Sequence, residues 1–459
     1  MNDHRIISPI EMYSVARHNR NYYKSVVFYI RFEILEYSIS EWLTSIEKCL
    51  RLTINAQPRL RLQVDLSRKE PFFIILPMNI FDCLPIQIIQ RTNHNDYDDK
   101  QDIFLNQIIE NETNIGFHYN TYLPLWRIII LISHYSNTFD IIMTFNHAIA
   151  DGISGMAFFT TFIEYLSNKS SMIYTLNNDR PLHEIIPYKL PKYSSLILQI
   201  IEKILLPNIL SKYFFSKTYW TGNIQKNENN LLFKTHLVSF KLSNEILDLL
   251  HKKCQLEKTT IHTAILSSLL LSIIEIIDKK NLEFSCSTAI NLRQYCQPII
   301  SNKQMGVFIS AANTYHYIPY REYLLDLFWP LSRQIKEQIN QEIQHSVIPL
   351  IHSLKFIHNW NQFLIDQRKT LPNGYQHSVE ISNLLRWSFK TNNTSLKILY
   401  GGFTQSANII GNVFLLSVVT INDILNVYIS FHEENFQNIQ QVNFIKDRMK
   451  QILNQVIYL

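Results

Sequence analysis

The chain has 459 residues, 43 Lys plus Arg against 38 Asp plus Glu, 46% hydrophobic residues and only nine glycines. Its apolar fraction supports one large globular body or two domains, and excludes disordered, collagen-like and short disulfide-scaffold chains. Nine glycines fall far below the usual share of about 7%, which argues against folds that cradle phosphates in glycine-rich loops. The formal charge of +5, spread without a block of one sign, is not the footprint of a nucleic-acid binder. Cys49, Cys83, Cys254, Cys286 and Cys296 are scattered, with neither a CxxC pair nor metal spacing. A reducing, cytoplasmic setting is expected from them, and no metal. The start, MNDHRIISPIEMYS, holds no apolar signal region, and no run of 18 apolar residues follows, so neither a leader nor a membrane span is expected.

In chain order, residues 24–34 (KSVVFYIRFEI) predict a β-branched strand, 40–53 a helix, and Pro58 the start of an extended segment. From Trp126, RIIILISH and FDIIMTFNH predict a hairpin whose second strand ends at His147. Asp151-Gly152 is a turn, and ISGMAFFTTFIEYL carries Met156, Phe159, Ile163 and Leu166 at helical spacing. Polar residues 168–190, with Pro181 and Pro187, mark a linker. The apolar stretch 194–220 with its lysines reads as a lobe-bridging helix broken at Pro207; weak association of 194–217 with a lipid surface is the other reading. Near Leu237 a second lobe opens with THLVSFKLS, two helices, a strand into INLRQYCQP, a long helix near 329–344 and ISNLLRWSF. A hairpin around Asn422-Asp423 and a terminal helix from about residue 437 close the chain. The expected organisation is a lobe over 1–180, a linker and bridging helix over 181–236, and a second lobe over 237–459. Interleaved strands and helices without a strict βαβ rhythm predict an α+β fold of mixed sheets with packed helices.

No Walker loop, GxSxG elbow, HExxH or zinc-finger spacing occurs, and what remains is Asn146-His147-Ala148-Ile149-Ala150-Asp151-Gly152. With 16 His, 16 Asp and 9 Gly in 459 residues, chance yields roughly 0.01 HxxxDG matches, so glycine scarcity makes this match specific. A histidine leaving a buried strand end can offer one ring nitrogen to a channel, and an ordinary pKa of about 6.5 suits a general base. Asp151 in the turn can cap the following helix or pair with an arginine, and Gly152 permits positive φ or close packing. A satisfied core histidine beside a plain turn is the bland alternative.

This motif resembles that of the CoA-dependent acyltransferase superfamily with the chloramphenicol acetyltransferase-like fold, which includes condensation domains, alcohol O-acetyltransferases and polyketide-associated acyltransferases. Weaker matches follow in family order: Ile7–Glu11, Gln57–Arg61, Pro124–Arg127, Asn291–Arg293, Met305–Val307, Ile381–Leu384 and the hairpin from Thr420 to Leu425. The resemblance implies two similar lobes around a central tunnel, with His147 as general base and no covalent acyl-enzyme. An acyl-CoA or acyl-carrier thioester would be co-substrate, with no permanently bound cofactor. An alcohol or amine would be acceptor, an acyl carrier protein a partner, and the enzyme a monomer. By the same resemblance, Asp151 and Gly152 are structural at the active site and Arg293 is the partner of Asp151. Ser382 and Asn383 match a Ser-Asn pair that would serve the oxyanion, or else they form a strand-end turn. Asn146 is a further oxyanion or substrate candidate; many relatives carry His in its place, which motivates the alternative of a non-catalytic module holding a carrier protein or hydrophobic ligand. His262, on an apolar helix, reads as a core residue.

Overall fold

The run VVFYIRFEI alternates an apolar face (Val26, Phe28, Ile30, Phe32, Ile34) with one of Val27, Tyr29, Arg31 and Glu33, the pattern of a strand within a sheet. In the computed structural model it is a central strand, β2 (Val26–Ile34). The structure describes residues 4–36, 39–91, 102–133, 136–167, 172–174, 180–188, 219–222, 233–278, 281–391, 395–432, 436 and 439–459. The expected bridging helix and the lipid-surface stretch 194–217 lie outside them. Among the described residues no single helix is long and apolar enough to cross a membrane.

A five-stranded sheet runs β12 (Leu396–Gln405), β2, β7 (Thr138–Phe145), β6 (Trp126–Ser133) and β5 (Ile86–Gln90), antiparallel except for the β5–β6 pair. A six-stranded sheet runs β10 (Ile309–Ile318), β9 (Leu282–Asn291), β11 (His377–Trp387), β13 (Asn412–Ile421), β14 (Ile424–His432) and β8 (Thr235–Leu242). There β11 pairs in parallel with both β9 and β13. A small antiparallel sheet joins β1 (His4–Ile6), β4 (Phe72–Ile75) and β3 (Leu62–Asp65). Helices Ile39–Ala56 and Gly152–Leu166 contribute to one apolar core, with Trp42, Ile46, Met156 and Phe159 fully or nearly buried. Helices Ile261–Ile273 and Ile439–Gln455 contribute to a second core with β13 and β14. Two cores on two sheets with packed helices give the α+β fold and its two lobes.

The hairpin at His147, the helix from Gly152 and the Asn422-Asp423 hairpin stand where the periodicity puts them. Asn422 and Asp423 both take positive φ, as a two-residue hairpin turn requires. Three features differ. Pro58 opens a 3-10 turn over Pro58–Arg61, with the proline at a position that needs no N–H donor, and extension begins only at Leu62. A helix, Pro9–Asn19, precedes the first long strand; Ser8 and Glu11 form its capping box and Pro9 its first turn. Most consequential is β12, which leaves the C-terminal half to pair with β2 along its length, completing the five-stranded sheet. Gly401 and Gly402 lie inside this strand rather than at a turn. A Cβ on Gly402 would fall 2.7 Å from Tyr29 Cε1.

Gly155 has a related reason. A Cβ there would strike the ring of Phe28, which is stacked between Phe145 and Phe403 at 5.4 and 5.2 Å and has no room to retreat. Gly155→Ala should therefore destabilise the protein by about 1–3 kcal/mol through overpacking. Urea denaturation will check this, and an unchanged midpoint would show that the ring stack yields.

Candidate active site

His147 lies two residues beyond the end of β7, in the turn that follows Asn146, and is 8% exposed. The loop that carries it is fastened at both ends. Asn146 N–H donates to the Leu125 carbonyl (2.9 Å), and Asn146 Oδ1 accepts from Ala148 N–H (2.9 Å) and from the Tyr119 hydroxyl (3.3 Å). Asn146 thus shapes the loop. His147 Nδ1 is buried without a hydrogen bond of ordinary geometry, so Nε2 is the ring nitrogen left to meet a reactant. The Tyr23 ring stands edge-on to the imidazole at 5.8 Å, and its hydroxyl donates to Gln405 Oε1 at the end of β12 (2.8 Å). Burial, reinforced by the Arg17 charge, pushes the His147 pKa down to about 4, with its own carbonyl and Asp151 pulling the other way. The imidazole is neutral throughout the physiological range.

Asp151 caps helix Gly152–Leu166 and is completely buried. Its carboxylate accepts from Ser154 N–H (2.9 Å) and Oγ (2.8 Å), from Arg293 Nη1 (2.8 Å) and Nη2 (3.0 Å), and from Phe308 N–H (2.9 Å). Burial alone would raise its pKa, but the Arg293 guanidinium and these hydrogen bonds outweigh it and hold the carboxyl below the usual range. Arg293, in the turn after β9, also donates from Nη2 to the Gln304 carbonyl (3.2 Å), and its guanidinium lies 4.8 Å from the Phe308 ring centroid. Ser154 completes the clasp: its one hydroxyl proton is within reach of both Asp151 Oδ1 and the Gly306 carbonyl (2.7 Å), and the oxygen accepts from Gly306 N–H (2.9 Å). Gly152 is needed for close approach rather than positive φ, since a Cβ there would sit 2.6 Å from Leu384 Cδ2.

That leucine belongs to β11, and so do the two remaining predicted residues. Ser382 is buried and its hydroxyl makes no hydrogen bond to a described residue. Asn383 is engaged differently: its Oδ1 accepts from Leu385 N–H (2.8 Å) at a bulge where Leu385 takes φ 66°. The bulge turns Leu384 onto Gly152. His262 is half-buried beside Thr288 Oγ1 (3.2 Å), and burial lowers its pKa to about 4.

The weak sequence segments turn out to be one another's partners. Glu11 accepts from Arg59 Nη1 (2.5 Å) and Arg5 Nη1 (2.8 Å), and Trp126 Nε1 donates to the Leu60 carbonyl (2.8 Å). Gln57 donates to the Lys303 carbonyl (2.8 Å) and accepts from Met305 N–H (3.1 Å), tying the first lobe to the Met305–Val307 segment. Sequence reasoning passed over Ser154, Tyr23, Arg17 and Glu380. Only Ser154 had a visible signal, three residues after an aspartate that opens a helix. Among the described residues no group of His, Cys, Asp or Glu is arranged to hold a metal ion.

The sequence model of the alcohol acetyltransferase family matches residues 86–457, most of the chain. The chain belongs to the alcohol acetyltransferase family. Members of this alcohol acetyltransferase family are acyltransferases for groups other than aminoacyl, the class the HxxxDG segment points to. The chain is 26% identical over 269 residues to the probable alcohol acetyltransferase crmB of Aspergillus fumigatus, a match covering 54% of this chain and 56% of that protein. It is 22% identical over 465 residues to the N-acetyltransferase SLI1 of Saccharomyces cerevisiae, covering 90% and 92%. In fold it resembles the TRI3 trichothecene 15-O-acetyltransferase of Fusarium sporotrichioides, with TM-score 0.73, 12% identity and coverage of 99% and 95%. Polyketide synthase associated protein 5 of Mycobacterium tuberculosis gives TM-score 0.59 at 12% identity, covering 98% and 99%.

A pH dependence follows chiefly from burial. His18, His147, His262, His316, His377 and His432 are each held down to about 4, with burial the largest cause. Between about pH 6.5 and 4 the unfolded chain binds protons on these six histidines that the folded protein does not. Stability is therefore full above that window and falls as pH drops through it. Urea midpoints measured from pH 7.5 to 4.5 should decline steeply below about 6.5; a flat profile to pH 5 would contradict the burial argument.

Proposed function

We propose that this protein transfers an acyl group from an acyl-CoA thioester to the hydroxyl or amino group of a small acceptor, within a channel between the two lobes. His147 Nε2 takes the acceptor proton as the heteroatom attacks the thioester carbonyl. The tetrahedral oxyanion accepts a hydrogen bond from Ser382 Oγ, and collapse breaks the C–S bond, with the proton passing to the leaving CoA thiolate. Asp151 and Arg293 hold the loop in register and do not touch the reactants. The carrying observation is a buried, neutral histidine whose Nδ1 is enclosed by protein, leaving Nε2 for a reactant, on a loop locked across the lobe seam by the Asp151–Arg293 pair.

Family membership supports acyl transfer, and the names of the two curated relatives support both oxygen and nitrogen acceptors. CoA is preferred over a carrier protein because the family model and the curated relatives carry the names of acetyltransferases. Five unpaired cysteines favour a reducing, cytoplasmic setting. Asn146, the motive for a non-catalytic reading, ties the His147 loop to Ala148, Tyr119 and Leu125, while its Nδ2 is buried without a partner. The test is free-thiol release from acyl-CoA with a panel of alcohols and amines. Acceptor-dependent release by the wild type, lost in His147→Ala, is expected. Its retention in that variant would remove the base, and no release with any acyl thioester, CoA-linked or carrier-linked, would overturn the transfer itself.

A further inference from the structure

Beside His147 stands a cation that the transfer just described leaves unused. Arg17 lies in the last turn of helix Pro9–Asn19 and is 8% exposed. Its guanidinium carbon sits 4.2 Å from the centroid of the Tyr13 ring and 4.7 Å from that of Tyr23, the same ring that stands edge-on to His147. Its recorded hydrogen bond is a long one, 3.5 Å from Nη2 to Ser14 Oγ, and Nε is buried without a partner. Among the described residues no carboxylate lies within 4.0 Å of it.

The other deeply buried arginines are all answered by carboxylates. Arg31 and Arg91 share Asp102 and Asp140, Arg59 has Glu11, and Arg293 has Asp151. A guanidinium keeps its proton in any protein environment, so Arg17 retains a desolvated charge with donors unfilled. Two aromatic faces and the C-terminal end of its helix offset only part of that cost. From the opposite lobe comes Glu380, on β11 two residues before Ser382. It is half-buried, feels the Arg17 charge without touching it, and accepts from Asn412 Nδ2 at 2.6 Å. Burial raises its pKa, so it is less of a negative charge than an exposed glutamate would be.

We propose that Arg17 determines acceptor specificity by binding a carboxylate that the acceptor carries beside its reactive hydroxyl or amine, so that hydroxy acids and amino acids are favoured over plain alcohols and amines. The Tyr23 ring packs against both the guanidinium and the imidazole, and in the proposed complex one small acceptor spans the two. This rests on the transfer reading above. An acceptor without the carboxylate leaves the buried cation unmatched, and discrimination of about 10-fold or more is the ordinary consequence.

The test uses matched pairs, a hydroxy acid and an amino acid against the alcohol and amine of the same carbon skeleton, with acetyl-CoA as donor. The wild type should favour the carboxylate member in kcat/KM by about 10-fold or more, and Arg17→Gln should abolish that ratio through KM. Arg17→Lys should restore part of it, and Glu380→Gln should keep or widen it. Independently of turnover, the hydroxy acid alone should raise the melting temperature of the wild type and not of Arg17→Gln. A wild type that prefers the neutral member, an Arg17→Gln variant with an unchanged ratio, or no thermal shift in the wild type would each overturn the inference. Acceptor-dependent thiol release that needs His147 would survive all of these, so failure here is distinct from failure of the transfer.

Discussion

His147→Ala is expected to lower kcat by about 10²- to 10⁴-fold, the range associated with a lost general base. The fold should survive, because the ring makes no hydrogen bond that anchors the loop and Asn146 and Asp151 hold it on either side. A pKa held near 4 has two consequences of opposite sign. It makes the imidazole a weaker base toward the acceptor proton, yet it guarantees the unprotonated form at any working pH. The negative charge that develops beside it during attack then favours taking the proton when it is needed. The acidic limb of kcat/KM in the wild type should accordingly show no inflection at about pH 6.5, and the rate should hold down to the pH at which the fold itself gives way. His147→Gln, which keeps a polar side chain but cannot accept the proton, should be as inactive as the alanine variant. Acceptor-dependent thiol release by either variant at more than about a tenth of the wild-type rate would end the assignment.

Arg293→Ala should destabilise the protein by about 3–5 kcal/mol, because it strands the fully buried Asp151 carboxylate. The loss has a geometric side as well. Asp151 meets Arg293 and Phe308 N–H from the second lobe while capping the helix that begins one residue later. When the pair opens, the seam and the His147 loop move together, and a displacement of about 1 Å is enough to cost about 10²-fold in rate. Chemical denaturation and thiol release should therefore decline together. Asp151→Asn separates the contributions, since the amide keeps the shape and part of the capping while leaving Arg293 without its counter-charge. If Arg293→Ala unfolds at the wild-type urea concentration, the pair contributes nothing that repacking or water cannot replace.

How much of this was written in the chain depends on distance along it. The hairpin, the turn and the helix around His147 are local, and 3.6- and 2-residue periodicities display them directly. The Asp151–Arg293 contact joins residues far apart, and only a resemblance to other proteins linked them. Arg17, Tyr23 and Glu380 carry no motif: an arginine in a polar helix and a glutamate in a strand become informative only once packing has buried them together. The strand β12 was hidden for another reason. Gly401, Gly402 and the register shift between Ile398 and Tyr400 break its alternation, so it reads as turns, although its neighbours Tyr29 and Ile30 require those missing side chains. Helix Pro9–Asn19 lacks a broad apolar stripe and is marked only by its capping residues.

The late arrival of β12 bears on how the protein is made. During synthesis Val26–Ile34 leaves the ribosome early and finds β7 some hundred residues later, but its other edge stays open until Leu396–Gln405 has emerged. For most of translation, one of the most apolar strands in the chain is an unpaired edge, the kind of surface that recruits other chains. Chaperone demand and aggregation during expression should therefore be set by the delay between these two strands, and a fragment ending before residue 396 should be insoluble even though its motif is complete.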